Sequence, residues 1–118
     1  QRWVPMLCSS DDRFNFPGYE ISRSGEVRNR HLRPLRIRTA QDGYSWVYLS
    51  RDAKVHRTSQ HRLVCHFHNG PSPSPEHRVV HHKNGVRDDN RAENLEWVTY
   101  RENRGNYVTY TKAVRASA

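Results

Sequence analysis

Polar and apolar residues alternate in short runs through the first half of the chain, and turn-forming pairs cut the runs apart. Residues 18–22 and 26–28 flank Ser24-Gly25, a turn signal between two strands. Leu35, Arg36, Ile37 and Arg38 alternate apolar with basic side chains, which predicts a strand over 35–38 with one charged face. Asp42-Gly43 then turns the chain into residues 44–49, rich in strand formers, and residues 54–57 can pair with them. Together these runs predict a small antiparallel sheet with arginines on one side and Tyr44, Trp46 and Tyr48 in the core. The period then changes. Leu63, Val64 and Phe67 make one apolar face behind Ser59, a candidate N-cap, so 59–68 reads as a short helix. Asn69-Gly70-Pro71 ends it, and Pro71, Pro73 and Pro75 stiffen the next segment into an extended linker.

Beyond the linker, residues 78–82 read as a strand that ends in His81-His82. Residues 84–94 are dense in Asn, Asp and Gly and predict a loop, and 95–98 form a second strand. Thr99 and Glu102 fit a capping box, which starts a helix and places Asn103 in its first turn, facing the hairpin. The fold class is therefore α+β. A small antiparallel β-sheet module covers 1–58, and a helix with a Pro-rich linker covers 59–75. A strand–loop–strand–helix unit covers 76–106, and a basic tail covers 107–118.

Composition sharpens this picture. The 118 residues are 34% hydrophobic with a mean hydropathy of −1.05, so the core must be thin. A net charge of +8 favours a polyanionic partner. The excess is uneven: Arg28, Arg30, Arg33, Arg36 and Arg38 fall in one stretch without an acidic residue, and arginine is the better fork for phosphate. Cys8 and Cys65 are the only cysteines and lie far apart, which argues against a zinc ribbon or a disulfide scaffold and suits a reducing cytoplasm. No apolar run approaches the length of a membrane span. The first residue is Gln1 rather than Met, so the true start is expected upstream.

The histidine pair carries the chemistry. Phosphodiester hydrolysis needs an activated water, neutralisation of the phosphate, and stabilisation of the leaving 3′ oxygen. A neutral imidazole can supply the first and a hard divalent cation the other two. Neighbours on a strand point to opposite faces, so His81 and His82 divide the labour, one for metal and one for water. The amide oxygen of Asn103 can complete the metal site. Two protein ligands leave positions open for phosphate and water, which suits Mg²⁺ or Mn²⁺ better than a closed Zn²⁺ site. His56, His61, His66 and His68, with Cys65 among them, form a second group. It is open to a structural zinc site with Cys8 or, as expected, to packing and phosphate contacts.

His81-His82-Lys83-Asn84-Gly85, Asp89-Asn90-Arg91, the run from Asn94 to Thr99, and Glu102-Asn103 resemble the HNH nucleases of the ββα-metal class. They are most similar to the phage intron-encoded homing endonucleases. Trp3-Val4-Pro5, the runs at 18–22 and 25–28, and His61-Arg62-Leu63-Val64 resemble the nuclease-associated modular domain that precedes such units. The resemblance implies that His82 is the general base, His81 and Asn103 are metal ligands, and Asn94 braces the loop and orients the base. The first ligand is often Asp in the family and is His here, which opens the site to Zn²⁺ or Ni²⁺ beside Mg²⁺ and Mn²⁺. The resemblance also implies double-stranded DNA as partner, with the ββα unit against the minor groove. Arg28, Arg30, Arg33, Arg36 and Arg38 would then contact the backbone, and Arg87 and Arg91 would clamp phosphates near the cut. One such site contacts one phosphate, so a monomer is expected to nick one strand, and a dimer to cut both. Because the chain stops at Ala118, modest sequence discrimination is expected. A restriction or packaging-associated nuclease, or a DNA-binding module without catalysis, are the alternatives.

Overall fold

The computed structural model describes residues 2–102; Asn103 and the tail over 107–118 lie outside the described residues. Among the described residues three antiparallel sheets surround the helix α1 (Gln60–Asn69). β1 (Trp3–Pro5), β2 (Glu20–Ser22) and β3 (Val27–Arg28) make the first sheet, in that order. β4 (Arg38–Thr39), β5 (Ser45–Arg51) and β6 (Lys54–Ser59) make the second. β7 (Val79–His82) and β8 (Leu95–Val98) form the third, a hairpin. Helix α1 follows β6 directly.

The single sheet expected in the first half is thus two sheets, and its third strand falls later than the alternation suggests. Leu35, Arg36 and Ile37 precede β4, which begins at Arg38. The chain bends after Asn29, whose side chain accepts from the N–H groups of His31 and Arg33, and Leu32 takes a φ of 62°. Pro34, which has no N–H to give a ladder, makes only an isolated bridge to Arg28.

In β5 the face that enters the core is Ser45, Val47 and Leu49, while Trp46 and Tyr48 point outward. Trp46 and Tyr48 thus do not form the core expected of them. The small and aliphatic residues of this strand meet α1, and the aromatics lie under guanidinium groups. Arg57 lies 3.7 Å over the Trp46 ring and Arg38 5.5 Å over Tyr48.

The apolar cluster is continuous through the described residues. Met6, Phe16, Ile21 and Val27 from the front meet Val47 and Leu49, then Leu63, Val64 and Cys65 of α1, then Val80, Ala92 and Leu95 of the hairpin. Helix α1 is the joint. Its Asn69 amide donates to the carbonyls of Ala92 (2.8 Å) and Leu95 (3.0 Å), and His68 Nε2 lies 3.1 Å from the Ile21 carbonyl. Ser59 sits at the N-cap position but does not cap the helix; its hydroxyl meets His61 Nδ1 at 2.9 Å. Among the described residues no helix is long and apolar enough to cross a membrane.

Candidate active site

The β7–β8 hairpin pairs His81 with Glu96 and His82 with Leu95. Because cross-strand partners share a face, His82 lies with Val80 and Leu95 on the buried side, and His81 lies on the other. The two imidazoles therefore have different surroundings, as alternation requires. His82 is 6% exposed, whereas His81 is only partly buried. Burial pushes the His82 pKa below the ordinary imidazole range, against a smaller opposing pull from its bond to Asn90, so the ring is neutral near neutrality.

The loop of residues 83–94 has few apolar side chains and is held by its own polar ones. Asn94 is the hub. Its amide donates to Asn84 Oδ1 (3.0 Å) and the Asp89 carbonyl (2.8 Å), its Oδ1 accepts from the Asn84 N–H (3.1 Å), and its carbonyl accepts from the Lys83 N–H (2.8 Å). Arg91 grips Asp89 with two bonds of 2.7 and 2.9 Å, which draws that carboxyl down to about 2. Asn94 braces the loop, but the side chain that touches the His82 ring is Asn90. Its Oδ1 lies 2.8 Å from His82 Nε2, and its amide donates to Gln60 Oε1 at 2.9 Å.

Two further rings stand beside His82. His61 of α1 is 5.4 Å away, centroid to centroid, and Tyr44 is 6.2 Å away. Burial, then the neighbouring His82 and Arg62, push the His61 pKa down to about 3. Arg87 lies over the Tyr44 ring at 5.0 Å and donates to the Asp42 carbonyl at 2.7 Å, which ties the loop to the β4–β5 turn.

Sequence reasoning missed Asn90, Gln60 and Tyr44 as site residues and took His61 for packing or phosphate contact. Asn90 stood in the Asp88-Asp89-Asn90 run, where no periodicity says which side chain turns inward. Gln60 meets residues 30 and 35 positions away.

The remaining histidines of the second group do not assemble. His66 stacks on Phe14 at 4.0 Å, and His56 meets the Phe16 ring edge-on at 5.8 Å. Burial lifts the Cys65 thiol to about 12, which keeps it protonated. Among the described residues no group of three or more His, Cys, Asp or Glu side chains could hold a metal. His81 fits a more open site. Its ring is partly exposed and makes no hydrogen bond among the described residues, so an imidazole nitrogen is free to ligate. The second expected ligand, Asn103, lies outside the described residues.

The arginines expected to meet DNA fall into two sets. Arg30, Arg33, Arg36, Arg38 and Arg87 are exposed. Arg28 is half-buried, ion-paired with Glu20 at 2.9 Å and stacked 4.0 Å over Trp3, and Arg91 is exposed but engaged with Asp89. Arg57, on the same outward face as Arg38, was not anticipated.

Residues 59–104 match the family model described as HNH endonuclease. Two uncharacterized HNH endonucleases of Acanthamoeba polyphaga mimivirus, L245 and L247, are 36% and 38% identical over 80% and 82% of this chain. The DNA endonuclease I-HmuI of Bacillus phage SP01 is 36% identical over 77% of it. The chain spans 28%, 26% and 52% of these relatives' lengths, respectively. A solved structure of the HNH homing endonuclease I-HmuI, describing DNA binding and cleavage, superposes with a TM-score of 0.73 at 27% identity. That match covers 99% of this chain and 66% of the other.

Proposed function

Given that this chain belongs to the HNH endonucleases, we propose that it hydrolyses phosphodiester bonds of double-stranded DNA in a divalent-metal-dependent reaction. As a monomer of the homing type it would nick one strand per encounter. The observation that carries this reading is the pairing of a buried, hydrogen-bonded His82 with a partly exposed His81 at the adjacent strand position.

In this reading His82 takes the proton of the attacking water. Its low exposure holds it uncharged and ready to accept. His81 and Asn103 would hold the cation, Mg²⁺ or Mn²⁺, with Zn²⁺ or Ni²⁺ accommodated by the imidazole. When bound, the cation neutralises charge on the phosphate and on the leaving 3′ oxygen. Lys83 and Arg87 set positive charge along the rim of the loop, where a phosphate strand would lie, and Arg91 would have to leave Asp89 to join them. The exposed Arg30, Arg33, Arg36 and Arg38 extend that charge toward the neighbouring duplex, and Arg57 joins Arg38 on the outer face of the second sheet. Arg28 would contribute through the field it shares with Glu20 rather than as a free fork.

Supercoiled plasmid incubated with the protein and Mg²⁺ or Mn²⁺ should convert to the open-circular form, and EDTA should stop the conversion. His82→Ala should slow nicking by on the order of a hundredfold or more, with DNA affinity within a few-fold. Wild-type cutting by His82→Ala would remove His82 from the role of base. Asn103→Ala should raise the Mn²⁺ concentration needed for half-maximal rate.

A further inference from the structure

The His82 ring lies at one end of a buried line of amides that begins in the N-terminal module. Gly25, in the turn between β2 and β3, presents its carbonyl to Gln60 Nε2 at 2.7 Å. Gln60 Oε1 receives the Asn90 amide at 2.9 Å, and Asn90 Oδ1 faces His82 Nε2 at 2.8 Å. All three side chains are more than nine-tenths buried: Gln60 is 7% exposed, Asn90 2% and His82 6%. Water is therefore a poor substitute for any link.

The direction of every link follows from the first. A backbone carbonyl can only accept, so Gln60 must turn its NH₂ toward Gly25 and its oxygen toward Asn90. Asn90 must then donate to Gln60 and turn its own oxygen toward His82. An oxygen at Nε2 requires a proton on Nε2. In the neutral ring the other nitrogen, Nδ1, then carries the lone pair. Among the described residues no hydrogen bond engages Nδ1. The turn is built for the role. Gly25 has a φ of +95°, and a Cβ there would stand 2.6 Å from Gln60 Nε2.

We infer that Asn90 and Gln60 are positioning residues that lock His82 as the Nε2–H tautomer and keep Nδ1 open as the proton acceptor, with the Gly25 carbonyl as the fixed end of the line. The inference rests on the reading of His82 as general base. It also gives the N-terminal module a part in catalysis besides holding DNA, because the carbonyl that sets the polarity belongs to its turn.

The test separates the wire from the nuclease reading. Long-range ¹H–¹⁵N correlation spectra of the full chain, with EDTA and at mildly alkaline pH, report which ring nitrogen of His82 carries the proton. The wild type should show a protonated Nε2 and a bare Nδ1. Gln60→Leu never touches the ring, yet it frees the Asn90 amide to rotate and should give a mixture of both tautomers. Asn90→Leu should do the same and should slow single-turnover nicking by on the order of ten- to a hundredfold, with DNA affinity held within about twofold. Circular dichroism checks that each variant is folded. Should Asn90→Leu not fold, the wild-type spectrum and Gln60→Leu decide the matter. A wild type protonated on Nδ1, or a Gln60→Leu protein with the wild-type tautomer, would overturn the inference. The expected tautomer in a protein that cuts no DNA would uphold the wire and refute the assignment of His82 as base.

Discussion

Two hairpins of this protein solve the same problem in opposite ways. β5 and β6 make six residue pairs across a two-residue turn, whereas β7 and β8 make four pairs across the loop of residues 83–94. The first is held by its ladder, by Val47 and Leu49 in the core, and by guanidinium–ring stacks on its outer face. The second is held by side chains that reach from the loop back to the backbone. A loop of that length is stable only if its polar groups find partners, and here the partners are Asn84, Asp89, Asn90 and Asn94. The long-loop hairpin holds the chemistry because it can set polar atoms around a buried ring, which a tight turn has too few residues to do.

The largest effect should come from removing the hub of the long loop. Asn94→Ala deletes three side-chain hydrogen bonds, each worth about 1 kcal/mol net, so unfolding free energy should fall by about 2–3 kcal/mol. Nicking should fall with it, by on the order of a hundredfold at a temperature where the variant stays folded, because the loop that carries Asn90 to His82 loses its brace. Chemical denaturation and plasmid nicking measure the two. If stability drops and nicking does not, Asn94 holds the loop without serving the site.

The ladder hairpin should respond in affinity instead. Arg38 and Arg57 line its outer face over Tyr48 and Trp46. Arg38→Ala with Arg57→Ala should reduce the slope of log affinity against log salt by about 2, near one unit for each phosphate left without its arginine. Cleavage of saturated DNA should stay close to wild type. An unchanged slope would place the duplex on another face.

How much of this was legible in the sequence divides along the same line. The strand positions of His81 and His82 followed from alternation alone, and Thr99 does cap the turn starting at Tyr100, accepting from the Glu102 N–H at 3.1 Å. The companion bond differs, since the Glu102 carboxylate takes the Thr99 hydroxyl rather than a backbone N–H. Periodicity reads burial, so it found the faces of β5 but could not say that Ser45, Val47 and Leu49, rather than the larger aromatics, would face α1. The polar line through Gln60 and Asn90 left no trace, because an amide that hydrogen-bonds across 30 residues looks the same as one in water.

His61 lies between the two hairpins, near His82 and Tyr44, and supplies a pH signature. Its folded pKa is depressed to about 3 from 6.5. In the unfolded chain the ring gains a proton as pH falls through the ordinary histidine value, while the folded ring stays neutral until far lower. Stability is thus full above that value and is lost progressively on acidification through the window between the two. His66, His68 and His82 are depressed by burial as well and add slope of the same sign. Denaturant midpoints against pH should fall on the acid side in the wild type and fall less steeply in His61→Gln. Equal slopes would mean that His61 is protonated in the folded protein.

The smallest effect should come from the tight turn itself. Asp52 and Ala53 join β5 to β6 with φ values of 54° and 60°, both left-handed. Two positive φ values at the centre of a two-residue hairpin match the right-handed twist of its strands, which is why Gly commonly fills the second position. Ala53 bears a Cβ there, at a cost of about 1–2 kcal/mol. Ala53→Gly removes that strain but gives the unfolded chain more freedom, which takes back about 0.4–1 kcal/mol. The difference should leave a gain of about 0.5 kcal/mol, visible as a small rise in denaturant midpoint with nicking unchanged. A loss of stability would mean that strand pairing, with Arg51 opposite Lys54, relaxes the turn at no cost. Because the turn touches neither His82 nor the loop of residues 83–94, any change in nicking would show that the two hairpins are mechanically coupled through α1, the element that both pack against.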